Sequence, residues 1–474
     1  MTTLESREVE QSLASAGHVV STRVSDSLIS TLPGCSYVDE GVFTAEQSRL
    51  LESMWFCAVR MTDLTGPGAF RTVQVGRESV IITRNRKGEV RAFLNVCRHR
   101  GVQLCTEAEG QLKRSIQCMY HAWTYDLDGR LIAAPNLTKM PDVDRETYAL
   151  VKPHVREYLG YVWVCLAPEA PDFDDVVVGA VAERLGAAEL IDGYDVANLK
   201  VGRRIVYDVK ANWKLIVENF MECYHCATIH PELTEVLPEF ADGLAAQVFV
   251  GHGAEFGDQV QGFTVDGSEG LDRIPGITED QDRRYYAITI KPNVFINLVP
   301  DHVIMHRMFP VAPDRTIVEC DWLYLPSVVD EGRDLDASVE LFHRVNQQDF
   351  DACERCQPAM GSRVYADGGV LTPSEHHIGA FHDWVLDHVG PEIDHARAAQ
   401  RVPERIVPAR AGLSVHDRQR AAVHGGTGKA AEEVVAVPTD DDANAASRFV
   451  VVAQPVRDRD ARPEPGSVSG QLDA

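Results

Sequence analysis

The chain lacks any apolar run approaching the roughly 18–20 residues that a membrane-spanning helix needs, so no membrane association is expected. Its opening residues, MTTLESREVEQSLASAGHVV, carry no charged-then-apolar signal pattern, and a cytoplasmic location is the expectation. Positive charge is scarce: 46 Lys and Arg stand against 71 Asp and Glu, a formal net charge of −25. Nucleic-acid binding usually needs a basic face, so no such partner is expected. In a reducing compartment the eleven cysteines read as thiols or metal ligands and not as disulfides. No internal repeat is present. What remains is ordinary for a soluble protein: 474 residues, 45% hydrophobic, enough for two or three domains with a sizeable core.

The pattern divides the chain into four parts. Residues 1–54 form an N-terminal segment with a helix; in FTAEQSRLLESMWFCAV, Thr44 is the candidate N-cap, with Gln47 completing a capping box. Residues 55–170 hold short alternating runs split by Gly, Asn and Asp turns, which predicts an all-β domain with a hairpin turn at Asp128-Gly129. Residues 171–400 mix helical stretches (NWKLIVENFMECYHCA, SVELFHRVNQQDFDACERCQPAM) with antiparallel strands between 285 and 325. That is an α+β pattern. Residues 401–474, rich in Gly, Ala, Asp and Pro, are expected to be mostly disordered.

In the β domain, Cys97 and His99 are followed, after eighteen intervening residues, by Cys118 and His121. Each loop offers one thiolate and one imidazole. A Rieske [2Fe–2S] cluster needs that stoichiometry, two cysteines on one iron and two histidines on the other. A zinc finger instead groups Cys with Cys and His with His, whereas here the two alternate.

NVCRHRGVQL and CMYHAWTYDLDGRL resemble the loops of the catalytic (alpha) subunit of Rieske non-haem iron oxygenases. Respiratory Rieske proteins carry an extra cysteine in each loop. Here Cys105 lies beyond the first loop and the second has none to spare. Arg98, Arg100, Lys113 and Arg114 cluster around the loops, either to receive an acidic electron donor or as an ordinary solvated face.

The second constellation is ENFMECYHCATIHPEL. On a regular helix Glu222 and His225 lie about 60° apart and share a face, while His230 falls about 140° from His225. Pro231 pushes His230 out of the α region, so the helix is expected to end or distort before it, letting the second ring swing back. A mononuclear iron(II) oxygenase site needs two imidazoles and one carboxylate. The resemblance points to Asp349 as that carboxylate, with Asp351 as its nearest rival. Cys223, Cys226, Cys353 and Cys356 could in principle bind zinc, but core packing is the stronger reading.

The resemblance covers residues 30–390 and is closest to the glycine betaine and stachydrine demethylases and choline monooxygenase. It implies a helix-grip, START-like catalytic domain, a [2Fe–2S] Rieske cluster, mononuclear Fe(II) and O2 as co-substrate. His225, His230 and Asp349 are the implied iron ligands, and Glu222 the implied bridge to a neighbouring subunit's cluster in a homotrimer. A quaternary ammonium substrate is implied, hydroxylated or oxidatively N-demethylated. Aromatic-ring dihydroxylation is the alternative, and a pure Rieske electron carrier the non-enzymatic one. The chain has no flavin or nicotinamide segment of its own, so a separate NAD(P)H-dependent reductase or ferredoxin is the expected electron donor. Tyr285, Tyr286, Phe295, Phe309, Trp322 and Tyr324 are aromatic candidates for holding a cation, although strand aromatics are more often core.

Overall fold

Alternating apolar residues between 56 and 165 pair as antiparallel strands: β1 (Phe56–Arg60), β2 (Ala69–Val75), β3 (Glu78–Arg84), β4 (Val90–Leu94), β5 (Glu109–Gln111), β6 (Ser115–Gln117), β7 (Thr124–Asp126), β8 (Leu131–Ala133), β9 (His154–Tyr158) and β10 (Tyr161–Cys165). They form three small sheets, ordered β4-β3-β2-β5, β8-β7-β6 and β9-β10-β1. The computed structural model describes residues 23–25, 28–139, 144–243, 251 and 253–400, so the tail expected over 401–474 lies outside the described residues.

The second half centres on a six-stranded antiparallel sheet. Its strands are β11 (Lys200–Val209), β12 (Ala254–Glu255), β13 (Arg284–Ile290), β14 (Val294–Leu298), β15 (His302–Ala312) and β16 (Arg315–Tyr324), in the order β11-β16-β15-β14-β13-β12. Six helices matter to the site: α1 (Glu40–Glu46), α2 (Trp213–Met221), α3 (Cys226–Ile229), α4 (Pro231–Val236), α5 (Asp336–Met360) and α6 (Ile378–Gln400). The expected α+β architecture is the observed one.

Strand β10 is the seam between the two halves. All five of its residues are buried. Successive side chains point to opposite faces. Val162 and Val164 therefore pack into the β-domain core, while Tyr161, Trp163 and Cys165 pack against strands of the six-stranded sheet. Polar groups fasten the seam. Fully buried Arg60 donates to the carbonyls of Leu159, Val196, Ala197 and Leu199 at 2.7–3.2 Å. Asn293 exchanges hydrogen bonds with the Cys57 backbone at 3.0 Å each way. Buried Asp321 accepts from Arg204 at 2.5 Å and from Tyr161 at 2.8 Å. Removing one partner of such a buried pair typically costs about 3–5 kcal/mol, because the other charge is stranded.

Helix α2 is anchored at its start. Asn212 caps it, accepting from Lys214 N–H, and the wholly buried Lys214 ammonium meets Glu46 of α1 at 2.5 Å. The α1 helix begins earlier than expected. Its cap is Asp39, which accepts from Gly41 and Val42 N–H, and Thr44 lies inside the helix with its hydroxyl turned back to the Glu40 carbonyl. An aspartate with two free N–H groups ahead of it is the stronger cap, and it displaced the threonine.

Candidate metal centres

The two loops predicted to hold a cluster share one backbone turn. The carbonyls of Cys97 and Cys118 accept from Gly101 and Ala122 N–H, each at 3.0 Å. The N–H groups of the same cysteines donate to the Val102 and Trp123 carbonyls, each at 2.8 Å. Both turns close through a left-handed residue, Gly101 at φ 72° and Ala122 at φ 56°. Glycine takes that conformation freely, whereas alanine gives up about 1 kcal/mol to do so. Each turn buries its thiol and leaves its imidazole near solvent: Cys97 and Cys118 are buried, His121 half-buried and His99 exposed.

The His99 and His121 rings lie 4.6 Å apart, and Trp123 stacks on His99 at 4.9 Å. His121 Nδ1 is buried without a hydrogen-bond partner. Tyr125 places its hydroxyl 3.5 Å from Cys97 Sγ while accepting Arg98 N–H at 3.0 Å. Two buried thiols beneath two imidazoles, one with an orphaned nitrogen, fit the donor set of a Rieske cluster.

The second centre forms where α2 ends. The helix stops at Met221, and Glu222 is extended at φ −131°, ψ 163°. Glu222 and His225 therefore meet across a turn and not along one helical face as expected; the break comes before Glu222, well ahead of Pro231. Glu222 folds over this turn, accepting from Tyr224 N–H and pairing with His225 Nδ1. His225 caps the short α3, and His230 sits between α3 and α4 at φ −122°. Pro231 forces that non-helical backbone, as its pre-proline position predicts. The His225 and His230 rings come to 5.1 Å.

Helix α5 supplies the third group. Asp349 Oδ1 lies 2.8 Å from His230 Nε2 and 3.2 Å from His225 Nε2. Ligand atoms of His225, His230 and Asp349 all lie within 4.8 Å of one another. The rival Asp351 is exposed and stands outside this group. Burial opposes the His225 charge, but hydrogen bonds to Asp349 and Glu222 outweigh it and hold its pKa up at about 10. Burial likewise opposes ionisation of Asp349, and the two histidines overcome it, pulling the carboxyl down to about 2. One ionised carboxylate facing two histidines, each of which gives up its Nε2 proton on binding a metal, is a set that non-haem iron(II) accepts.

Gln348 was not anticipated. Its Oε1 accepts from His230 Nδ1 at 2.7 Å, and its Nε2 donates to Glu232 at 3.1 Å. With Glu222 on His225 and Gln348 on His230, both Nδ1 atoms are engaged from outside and both Nε2 atoms converge on Asp349. Outer partners of this kind fix the tautomer and orientation of a metal-binding histidine. The sequence signal for Gln348 was its place beside Asp349, which carries no periodicity of its own.

Comparison with known proteins identifies the two domains that carry these groups. Residues 54–149 match the Rieske [2Fe-2S] domain, and residues 196–391 match the ring hydroxylating alpha subunit (catalytic domain). The glycine betaine monooxygenase oxygenase subunit of Pseudomonas aeruginosa is 31% identical over 405 residues, covering 77% of this chain and 92% of that protein. The chain belongs to the Rieske non-haem iron oxygenases. The carnitine monooxygenase oxygenase subunit of Escherichia coli K12 is 30% identical, covering 74% of this oxygenase and 92% of that protein. A solved quaternary ammonium Rieske monooxygenase, CntA in complex with L-carnitine, superposes with a TM-score of 0.58 at 27% identity, covering 76% of this chain and 96% of that one. Naphthalene 1,2-dioxygenase from Rhodococcus shares the fold, with a TM-score of 0.59 at 21% identity over 76% of this chain and 94% of that one.

In this oxygenase the second centre opens into a cleft of about 430 Å³ of empty space, part of it open solvent. Aromatic rings of Phe220, Phe240, Tyr285 and Phe342 line it beside His225, His230 and Asp349. Of the aromatics noted from sequence, Tyr285 alone lines this cleft, and Tyr286, Phe295, Trp322 and Tyr324 are buried core. Phe342 and Val345 precede Asp349 by seven and four residues, a helical stripe that the pattern around Asp349 would have revealed.

The cysteines require correction. Cys223 and Cys226 pack in a hydrophobic core cluster as expected, but joined as a disulfide and not as separate thiols. The turn after α2 brings their Cα atoms to 4.9 Å, within bonding range for a three-residue spacing. Cys353 is buried and donates to the Leu215 carbonyl at 3.5 Å, whereas Cys356 is exposed, and the inward stripe through Asp349 continues from Cys353 to buried Gln357 and Met360 instead.

Proposed function

We propose that the protein is a terminal oxygenase that hydroxylates or oxidatively N-demethylates a small quaternary ammonium or betaine-type compound. It takes electrons from a separate NAD(P)H-dependent reductase or ferredoxin. The observation that carries this reading is the cleft: four aromatic rings face a two-histidine, one-carboxylate site. Aromatic faces attract a desolvated alkylammonium by about 0.5–2 kcal/mol per contact, with no need for a fixed anion. The relatives named for glycine betaine and carnitine support the same substrate class.

In this reading Cys97, His99, Cys118 and His121 hold the [2Fe–2S] cluster, and His225, His230 and Asp349 hold iron(II). When bound, these groups supply electron relay and O2 activation. The chain's own residues orient and shield. Glu222 and Gln348 hold the histidine rings so that their Nε2 atoms converge. Phe240, Tyr285 and Phe342 restrict water and present a methyl group to the site.

Glu222 is also the electron bridge to another subunit. Beside it Tyr224 is 59% exposed, and at the cluster tip Met119 is 85% exposed. Two protruding apolar side chains, one at each centre, suit a head-to-tail contact that closes into a homotrimer. No described helix is long and apolar enough to cross a membrane, in keeping with the proposed cytoplasmic location.

The test is a substrate screen with a chemical reductant in place of the partner protein, scoring O2 uptake and formaldehyde. Formaldehyde or a hydroxylated product from a quaternary ammonium compound is expected. A cis-diol from an arene, with no turnover of any N-methylated compound, would replace this reading with ring dihydroxylation.

A further inference from the structure

A buried hydrogen-bond chain leaves the cleft wall and runs to helix α5. Tyr285 O–H donates to Asn297 Oδ1 at 2.5 Å. Asn297 Nδ2 donates to His306 Nδ1 at 3.4 Å, and His306 Nε2 donates to Asn346 Oδ1 at 3.1 Å. Asn346 Nδ2 donates to Tyr207 Oη at 3.4 Å, which in turn donates to His343 Nδ1 at 2.8 Å. From Tyr285 to Asn346 every member is at most 5% exposed. None of these bonds involves Glu222, His225, His230 or Asp349, so the chain is separate from the metal-binding set.

The chain has a direction. A neutral imidazole gives a proton at one nitrogen and accepts at the other, and an asparagine gives at Nδ2 and accepts at Oδ1. In the orientation present, Asn297 turns its Nδ2 to His306 and its Oδ1 to Tyr285, and Asn346 turns its Oδ1 to His306, so His306 carries its proton on Nε2. The phenolic hydrogen is thereby drawn toward Asn297, a fully buried residue that does not line the cleft. Burial keeps the imidazole neutral, lowering the His306 pKa to about 4. Were the acceptor at Nδ1 lost, the Asn297 amide would keep only the Tyr285 hydroxyl as partner, and a hydroxyl can either give or accept a hydrogen bond. Tyr285 could then receive Nδ2–H and turn its own hydrogen outward.

We propose that His306 is a positioning residue for substrate choice: through Asn297 it holds the Tyr285 hydroxyl hydrogen away from the cleft, so that this wall offers a cation no positive dipole end. The inference rests on the quaternary ammonium reading above. It concerns selectivity between a cation and a neutral molecule of the same shape.

The experiment measures dissociation constants on the oxidised holoenzyme, without turnover. The probes are glycine betaine, L-carnitine and γ-butyrobetaine, each paired with the isostere in which carbon replaces the ammonium nitrogen. His306→Leu should reduce the preference for the cation about tenfold while leaving isostere binding, the cluster spectrum and iron content unchanged. His306→Asn, whose Oδ1 can replace the Nδ1 acceptor, should restore most of the preference. In a Tyr285→Phe background, His306→Leu should have no further effect. Asn297→Leu frees the same hydrogen one link nearer the cleft and serves as the second variant if His306→Leu does not fold; retained preference there overturns the proposal.

An unchanged preference in folded His306→Leu, or equal loss of cation and isostere, also overturns it. An unmodified enzyme that prefers none of the three cations over its isostere instead overturns the substrate reading beneath it.

Discussion

At the tip of the β domain the thiols of Cys97 and Cys118 are buried, His99 is exposed and His121 half-buried, whereas in the catalytic half the His230 side chain is 1% exposed and those of His225 and Asp349 are 15% exposed. The first set sits on two matching turns that need little beyond their own backbone hydrogen bonds. The second is assembled from a broken helix and a distant one, 119 positions apart between His230 and Asp349, with Glu222 and Gln348 holding its histidines from outside. A centre that only passes electrons must reach the surface, and one that activates O2 must exclude water. The contrast in burial follows from those two tasks.

Breaking one centre without the other is the most direct test of this contrast. Asp349→Ala should reduce O2-dependent turnover to background while leaving the visible spectrum of the cluster intact; a normal rate would remove Asp349 from the site. Glu222→Gln should keep both metals and slow single-turnover oxidation of the cluster about tenfold or more, the range seen when partners of metal-bound histidines are lost. Oxidation at the usual rate would take Glu222 out of the electron path. Gln348→Leu should weaken iron affinity about 10-fold, read by metal titration, with activity recovering in excess iron.

The smallest effect is expected at the exposed centre. Tyr125→Phe removes one hydroxyl from Cys97 Sγ and should lower the cluster's reduction potential by about 40 mV, the equivalent of a hydrogen bond of about 1 kcal/mol. An unshifted potential would mean that the hydroxyl serves only Arg98 N–H.

The difference between the centres also governed how much of each was legible. The cluster loops announce themselves because all four donors lie within 25 residues and their turns are local. At the other centre the residue types were legible but the geometry was not. Treating 212–227 as one helix placed Glu222 and His225 on a shared face, yet helix α2 ends at Met221 and a turn brings them together. No glycine or proline marks that break, so pattern reading had no signal for it. The same turn brought Cys223 to Cys226 and turned two expected thiols into a disulfide. Asp349 and Asp351 look alike in sequence. They differ only in the helix face they occupy, which depends on what α5 packs against.

Arg60 carries a further consequence. Its guanidinium gathers four carbonyls, Asn293 pins the neighbouring strand, and β10 lends one side to each core. A fold stitched this tightly has no swivel on which the cluster tip could travel to meet its own active site. Should electrons pass between copies, the working unit is then the assembled ring, and dilution should act as an off-switch: specific activity should fall with protein concentration as the assembly comes apart, while each separated chain stays folded and keeps both of its metals.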